Sequence, residues 1–151
     1  MVIITNNQTL KEQTMTNTIT KIVSSTLASA TILAALAMPA NAGGQIQFQI
    51  NAQNEKDEKA IKTGLAFYSI YKGIKSQGGI TQNGNGNIAG VLQNGFGNQG
   101  IIHQQGDGHN GSIQQTGNNN SHGLFQFGKN TDAHVNQTGD NGAGATFTFG
   151  W

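Results

Sequence analysis

The sequence predicts an all-β protein: a β-solenoid of about 3.5 coils, each of about 22 residues and built from two 11-residue strand–turn units. Three observations lead to this prediction. A Gln-x-Gly motif recurs every 11 residues from Gln82 onward. Side chains within each repeat alternate with the period of two that is typical of strands. The composition, 35% hydrophobic and 10% charged with 22 glycines, favours ladders of stacked side chains over an ordinary globular core.

The repeat is defined by three positions that keep their residue type in six consecutive copies. The glutamines are Gln82, Gln93, Gln104, Gln115, Gln126 and Gln137. The turn glycines, two residues later, are Gly84, Gly95, Gly106, Gly117, Gly128 and Gly139. The aliphatic residues, two positions before each glutamine, are Ile80, Val91, Ile102, Ile113, Leu124 and Val135. Because self-similarity at a fixed period indicates stacked units, we expect each copy to form one strand and one turn.

Alternation of side chains assigns an interior face to each strand. In one copy Asn98, Ile102 and Gln104 point to one side, whereas His103 points to the other. The first set recurs along the chain and the second does not, so we expect the first set to be buried and His103 to face solvent. A further polar position of this interior holds Ser76, Asn87, Asn98 and Asn120. These four residues, with the glutamines and aliphatic residues above, are called the core ladder.

A coil of two strands is predicted because a single 11-residue unit would enclose almost no interior. Two facing strands enclose one flat layer, and three such coils fit residues 76–97, 98–119 and 120–141, with a half coil at 142–151. Successive coils would lie about 4.8 Å apart. Identical amides would then bond along the stack, and the aliphatic residues would form a strip beside them.

The final half coil departs from the pattern. Thr146 and Thr148 occupy the interior positions, whereas Phe147, Phe149 and Trp151 lie on the side that faces outward elsewhere. Either the register slips by one residue here and exchanges the two faces, or an aromatic face is left for a partner. No cap is apparent at this end of the solenoid.

Residues 43–75 lie outside the repeat and form a separate, non-repeating segment. Residues 45–50 alternate and predict a short strand. Further on, Ile61, Leu65 and Tyr68 have helical spacing, although residues 65–71 also fit a strand. This charged part of the segment is a candidate cap for the N-terminal end of the solenoid.

The first 42 residues have the features of a secretory signal peptide. Lys21 supplies a positive charge, residues 27–38 are mostly apolar, and residues 40–42 form an Ala-Asn-Ala cleavage site. Met15 is an alternative start. A membrane anchor is the competing interpretation, but the apolar stretch is short for a bilayer. Intact mass of the exported protein distinguishes the two, because cleavage would leave Gly43 at the N-terminus.

One stretch of the repeat carries a specific resemblance. Residues 76–93 read Ser-x5-Gln-x-Gly-x-Gly-Asn-x-Ala-x3-Gln, which resembles the curlin repeat of bacterial curli fibre subunits. The later copies drift, with His109 and Thr131 in the asparagine position and Gly111 in the alanine position. The resemblance covers residues 76–151, the predicted repeat domain.

The resemblance implies a structural subunit of an extracellular amyloid fibre at the bacterial surface. It implies self-assembly into a homopolymer, a second curlin-type subunit as partner, and an outer-membrane export apparatus. It does not distinguish a major subunit from a nucleating one. The alternative is a monomeric, secreted β-solenoid that acts as a binding module or adhesin.

Other functions have little support in the sequence. There is no cysteine and no arginine, and the eight lysines form no basic stripe, so a thiolate metal site and a nucleic-acid interface are not expected. His103, His109, His122 and His134 lack the i, i+4 spacing of a helical metal site and are interpreted as polar fillers.

No nucleophile–base pair is apparent, and a Gly-x-Gly-x-x-Gly match at Gly95 lies inside the repeat rather than between a strand and a helix. We therefore expect no catalytic residue, no cofactor, no metal and no small-molecule substrate. On the sequence alone, the protein is not predicted to be an enzyme.

Overall fold

The computed structural model describes residues 43–74 and 78–151. The predicted signal peptide and Ser76 lie outside these residues. Before the repeat are strand β1 (Gln45–Asn51) and helix α1 (Glu55–Tyr71). Seven strands follow: β2 (Gly78–Asn83), β3 (Ile88–Asn94), β4 (Gln99–Asp107), β5 (Asn110–Thr116), β6 (Ser121–Lys129), β7 (Asp132–Thr138) and β8 (Ala143–Gly150).

The seven repeat strands wind into a solenoid. They alternate between two sheets: sheet A, with the order β1-β8-β6-β4-β2, and sheet B, with the order β3-β5-β7. Neighbouring repeat strands are parallel and pair at an offset of 22 residues, so that Gln82 lies beside Gln104 and Val91 beside Ile113. The predicted β-solenoid is confirmed, with about three turns of roughly 22 residues spanning residues 78–150.

The interior between the two sheets is a thin layer of aliphatic and amide side chains. Its apolar part consists of Ile102, Ile113, Leu124, Ala133 and Val135, all buried. Burial of one such side chain is worth roughly 1.5–3 kcal/mol, and the layer holds few of them. The rest of the interior is polar and has to be stabilised by hydrogen bonds.

The turns bring backbone close to backbone. At Gly106, φ is 126°, and a Cβ atom would collide with the carbonyl oxygen of Gly128 in the next coil. Both the positive φ and the close approach therefore require glycine. Gly139, in the last turn of sheet B, has φ of 110° but no described atom within 4 Å of such a Cβ. The stack of turns that follow the strands of sheet B thus ends at Gly139, whereas in the other stack Gly128 lies against Gly150.

Residues of the charged N-terminal segment form helix α1, which resolves the choice between helix and strand. Asn54 caps the helix, since its side chain accepts hydrogen bonds from the backbone N–H groups of Lys56 and Asp57 at 3.0 and 3.1 Å. Acidic residues occupy the first turn, where the helix dipole favours them. None of the described helices is long and apolar enough to cross a membrane.

Helix α1 covers the outer face of sheet A, which corrects the prediction for His103. Leu65 is buried against Ile101 and Phe125, and Tyr68 packs beside them. His103 does point away from the solenoid interior, but it is only 8% exposed, because Tyr68 and other aromatic rings lie against it. Alternation along the strand predicts the direction of a side chain. Whether that side chain is exposed depends on whether another element, here α1, packs over the face.

Strand β1 caps the C-terminal edge of sheet A, where the sequence suggested no cap. It pairs antiparallel with β8 along its whole length, from Gln45 opposite Gly150 to Asn51 opposite Gly144. The candidate cap predicted for the N-terminal end was the charged part of the segment, residues 54–75, and not this strand. An antiparallel partner is possible because β8 is the last repeat strand of sheet A and offers an unpaired edge.

The register does not slip in the last half coil. Thr148 lies beside Gln126 and is fully buried, as is Thr146. The aromatic residues remain on the outer side, where Phe147 stacks on Phe125 with ring centroids 5.0 Å apart. Of the two alternatives, the aromatic face is the one observed, and α1 covers part of it.

Candidate functional site

The most regular feature of the interior is a pair of glutamine ladders. In sheet A, the Nε2 atom of Gln82 donates to Oε1 of Gln104 at 2.8 Å, and Gln104 donates to Gln126 at 2.8 Å. In sheet B, Gln93 donates to Gln115 and Gln115 to Gln137, also at 2.8 Å. Every amide of a ladder points the same way, so the ladders have a direction along the solenoid axis.

The same amides tie the two sheets together. Gln104 Nε2 also donates to the backbone carbonyl of Ile88 at 2.8 Å, and Gln115 Nε2 to that of Gln99 at 3.1 Å. Both acceptors belong to the opposite sheet. Gln104 and Gln115 thus use their two N–H groups for different neighbours, one along the stack and one across it, whereas Gln126 donates to the Asn110 carbonyl and to Thr131. Such complete pairing is what makes a buried polar layer tolerable.

A third ladder, formed by asparagines, runs through the turns. The Nδ2 atom of Asn98 donates to the carbonyl of Gly117 at 2.8 Å, while its Oδ1 accepts from the backbone N–H of Asn120 at 3.0 Å. Asn87 and Asn120 make the equivalent bonds to the following coil. These three asparagines of the core ladder therefore fix the spacing between one coil and the next turn.

Burial of the core ladder is complete only inside the stack. Ile102, Gln104, Gln115 and Gln126 are 1% exposed or less, as is most of the central ladder. At the N-terminal end Ile80 is 45% exposed, because no described coil lies above it. The predicted interior thus becomes an uncovered surface at the first coil.

Three repeat-strand edges remain open among the described residues. Sheet A begins at β2, and sheet B begins at β3 and ends at β7. The side chain of Gln45 bonds both the N–H and the carbonyl of Asp132 at the start of β7, at 2.7 and 3.0 Å, but no described strand pairs with β7 on that side. Open parallel edges of this kind can accept another strand.

Two histidines of the interior, His109 and His122, are fully buried. His109 Nδ1 lies 2.7 Å from Thr131 Oγ1, and His122 Nε2 lies 2.9 Å from Thr146 Oγ1. Burial lowers the pKa of His122 from its ordinary value of 6.5 to about 4, so the ring is neutral near pH 7. Within the described residues no group of three or more His, Asp or Glu side chains could hold a metal ion.

The outer face of sheet B carries a polar cluster that the sequence did not reveal. Ser112 Oγ lies 2.7 Å from His134 Nδ1, and His134 Nε2 lies 2.8 Å from Asp132 Oδ1. Ser112 and His134 are 22 residues apart and are partners in register on β5 and β7. The 22-residue coil could have revealed this pair from the sequence, because it places each residue of a repeat strand beside the residue 22 positions later.

Comparisons with known proteins do not extend this picture: no protein-family model matches the chain, and neither a curated protein nor a solved structure matches it. The resemblance to curlin repeats therefore rests on the residues quoted above.

The glutamine ladder predicts different costs for two neighbouring substitutions in β5. Gln115→Ala removes hydrogen bonds to Gln93, Gln137 and the Gln99 carbonyl, and we expect the free energy of unfolding to fall by about 3–5 kcal/mol. Gln114 is exposed on the outer face, so Gln114→Ala should change it by less than about 0.5 kcal/mol. Denaturant titration of freshly diluted monomer measures both. Equal losses would contradict the energetic role given to the ladder.

The buried His122 predicts a loss of stability in acid. Because its pKa is about 4 in the folded state and 6.5 in the unfolded state, unfolding takes up a proton between these values. Stability should thus fall as the pH drops from 6.5 to 4, by roughly 3 kcal/mol from this group. Titrations at several pH values should show a smaller loss of stability for His122→Asn than for the wild type, and equal losses would contradict the role given to His122.

Proposed function

We propose that the protein is a structural subunit that stacks end to end into extracellular fibres of the curli type. The observation that carries the proposal is the direction of the glutamine ladders. Among the described residues, nothing donates to Gln82 Oε1 at one end and nothing accepts from Gln137 Nε2 at the other. A second copy placed head to tail would supply both missing partners.

The number of repeat strands defines how copies would stack. The solenoid has seven strands, an odd number, so the next copy would enter with its β2 against β7 and its β3 against β8. Sheet A of one copy would thereby continue sheet B of the other, and neighbouring subunits would be related by a half turn about the fibre axis. The Gln137 amide would then donate to Gln82 of the next copy.

Charge does not oppose this assembly. From Gly43 onward, six lysines are matched by six acidic residues, and only Lys129 among the lysines lies in the repeat strands. A chain without net charge has little electrostatic protection against self-association. Ile80 is exposed at the first coil and would be buried by the incoming subunit. Its burial would add a hydrophobic contribution to the free energy of association, beside the hydrogen bonds between strand edges.

Strand β1 has to be accommodated in this arrangement, because it occupies the edge of β8 that the next copy needs. We propose that β1 leaves β8 as the subunit adds, so that a parallel repeat strand replaces an antiparallel one. Export to the cell surface, a second curlin-type subunit and an export apparatus belong to the same proposal and derive from the curlin resemblance.

The second candidate function is a monomeric binding module, and β1 is the observation that favours it. A strand that covers an edge blocks further addition there, and α1 covers the outer face of the same sheet. A solenoid whose last strand in sheet A is covered in this way would be suited to binding through its free faces rather than to polymerisation.

A disulfide between β1 and β8 tests the release of β1. Ile50 and Ala145 are paired residues on the two strands, and antiparallel partners lie about 4.5–5.5 Å apart at Cα, within the range for a disulfide. The chain has no cysteine, so Ile50→Cys with Ala145→Cys can form one bridge only. On wild-type seeds, the reduced form of 43–151 should elongate like the wild type, and the oxidised form at least about tenfold more slowly.

Each outcome separates the candidates. Fibres should diffract with a strand spacing of about 4.7–4.8 Å along the fibre axis. Equal elongation of oxidised and reduced forms would mean that β1 stays on β8 during growth. Wild-type protein that remains monomeric for days at high concentration, with the circular dichroism of a β protein, would favour the binding module. Single-cysteine variants control for the substitutions themselves.

A further inference from the structure

The outer face of sheet B brings together a hydroxyl, an imidazole and a carboxylate in one hydrogen-bonded line. Ser112 is the third residue of β5, and His134 lies beside it on β7, with Asp132 two residues earlier on the same side of the strand. The two contacts, 2.7 Å from Ser112 Oγ to His134 Nδ1 and 2.8 Å from His134 Nε2 to Asp132 Oδ1, leave both ring nitrogens engaged.

These partners determine the proton positions in the neutral imidazole. Asp132 can only accept when ionised, so His134 Nε2 carries the hydrogen and donates it to the carboxylate. His134 Nδ1 is then the acceptor for the hydroxyl of Ser112. This is the arrangement in which a base can take a proton from a serine, while a carboxylate stabilises the imidazolium that forms.

The carboxylate of this cluster is held in place by its neighbours. The side chain of Gln45 bonds the backbone N–H and carbonyl of Asp132 at 2.7 and 3.0 Å. Asn110 Nδ2 approaches Asp132 Oδ1 at 3.4 Å. The orientation of Asp132 is thus set by strand β1 and by the preceding coil, which leaves its carboxylate directed at His134.

Space for a substrate lies beside the hydroxyl. In register with Ser112 on β3 is Gly90, and a Cβ atom there would meet no described atom within 4 Å. On the same face, Ile88 and Leu92 stand on either side of Gly90 and are 66% and 62% exposed. A notch with an apolar side chain on each flank and a nucleophile at its end suits a small ester with an apolar acyl group.

From these observations we infer that Ser112, His134 and Asp132 form an esterase site for small apolar esters. Ser112 Oγ attacks the ester carbonyl carbon while its proton passes to His134 Nδ1. The tetrahedral intermediate collapses, the bond to the leaving oxygen breaks, and His134 returns the proton to that oxygen, which releases the alcohol. The acyl group is now an ester of Ser112.

Water completes the cycle. His134 takes a proton from the water that attacks the acyl carbon, and collapse of the second intermediate restores the Ser112 hydroxyl with the proton held by His134. The products are one carboxylic acid and one alcohol for each ester and water consumed. The site is open to solvent, with the side chains of His134 and Asp132 60% and 62% exposed, so the gain from the base should lie near the lower end of its usual range of about 10²–10⁴-fold.

This activity is independent of the proposed fibre function. The outer face of sheet B runs parallel to the solenoid axis, and head-to-tail stacking would use the ends of the solenoid rather than this face. The three side chains belong to one subunit, so failure of either proposal leaves the other intact.

Hydrolysis of p-nitrophenyl butyrate by the full chain tests the inference. The wild type should exceed the rate given by an equal concentration of N-acetylhistidine by about a hundredfold. Ser112→Ala and His134→Gln should each remove most of this excess. Combining them should cause little further loss, because the two residues act as a unit. Thr116→Ala, which removes a hydroxyl from the same face of β5, should keep the wild-type rate.

A covalent probe provides a readout that does not depend on the variants. A fluorophosphonate should label wild-type Ser112, as located by peptide mass, and His134→Gln should lower the labelling rate by a similar factor. Circular dichroism establishes that each variant is folded. A wild-type rate no higher than that of N-acetylhistidine, full activity in Ser112→Ala, or a wild type that hydrolyses the ester without labelling at Ser112 would each overturn the assignment.

Discussion

The structure depends on the hydrogen bond between one interior amide and the identical amide 22 residues later. A glutamine side chain buried without partners would destabilise the fold by several kcal/mol, whereas Gln104 is bonded along the stack in both directions and across to Ile88. This pairing works only if every coil has the same length and register. Insertion of one residue would move the amides of a strand to its opposite face and leave their partners buried.

The two sheets differ on their outer faces, and the N-terminal segment accounts for the difference. Sheet A carries Ile101, Phe125 and Phe147 outward, and α1 covers much of this apolar surface. Sheet B carries polar and short side chains outward on β5 and β7 and has no described cover. One face of the solenoid therefore contributes to stability by packing, while the other is available for contacts with solutes. Strand β1 of the same segment covers the edge of β8, the last repeat strand of sheet A.

The ends and the side of the solenoid thus expose different kinds of chemical groups. Among the described residues, the ends expose strand edges, with Gln82 Oε1 at the start of one ladder and Gln137 Nε2 at the end of the other, and these are suited to a second copy of the chain. The side exposes hydroxyl, imidazole and carboxylate groups that the coil length has aligned across strands. In a stacked assembly with a half turn between neighbouring subunits, the site would recur along the axis on alternating sides of the fibre.

Spacing and alternation in the sequence determined the solenoid, its 22-residue coil and the residues that point inward, such as Ile102, Gln104 and Gln115. These follow from local rules, because strand alternation and a fixed period leave only one way to stack the copies. Tertiary structure decided what covers the stack. The burial of His103 depends on a helix more than 30 residues earlier, and the cap on β8 depends on pairing with β1, which no local pattern reports. The contact of Ser112 with His134 was also hidden, because neither residue belongs to the repeating set and only the coil brings them together.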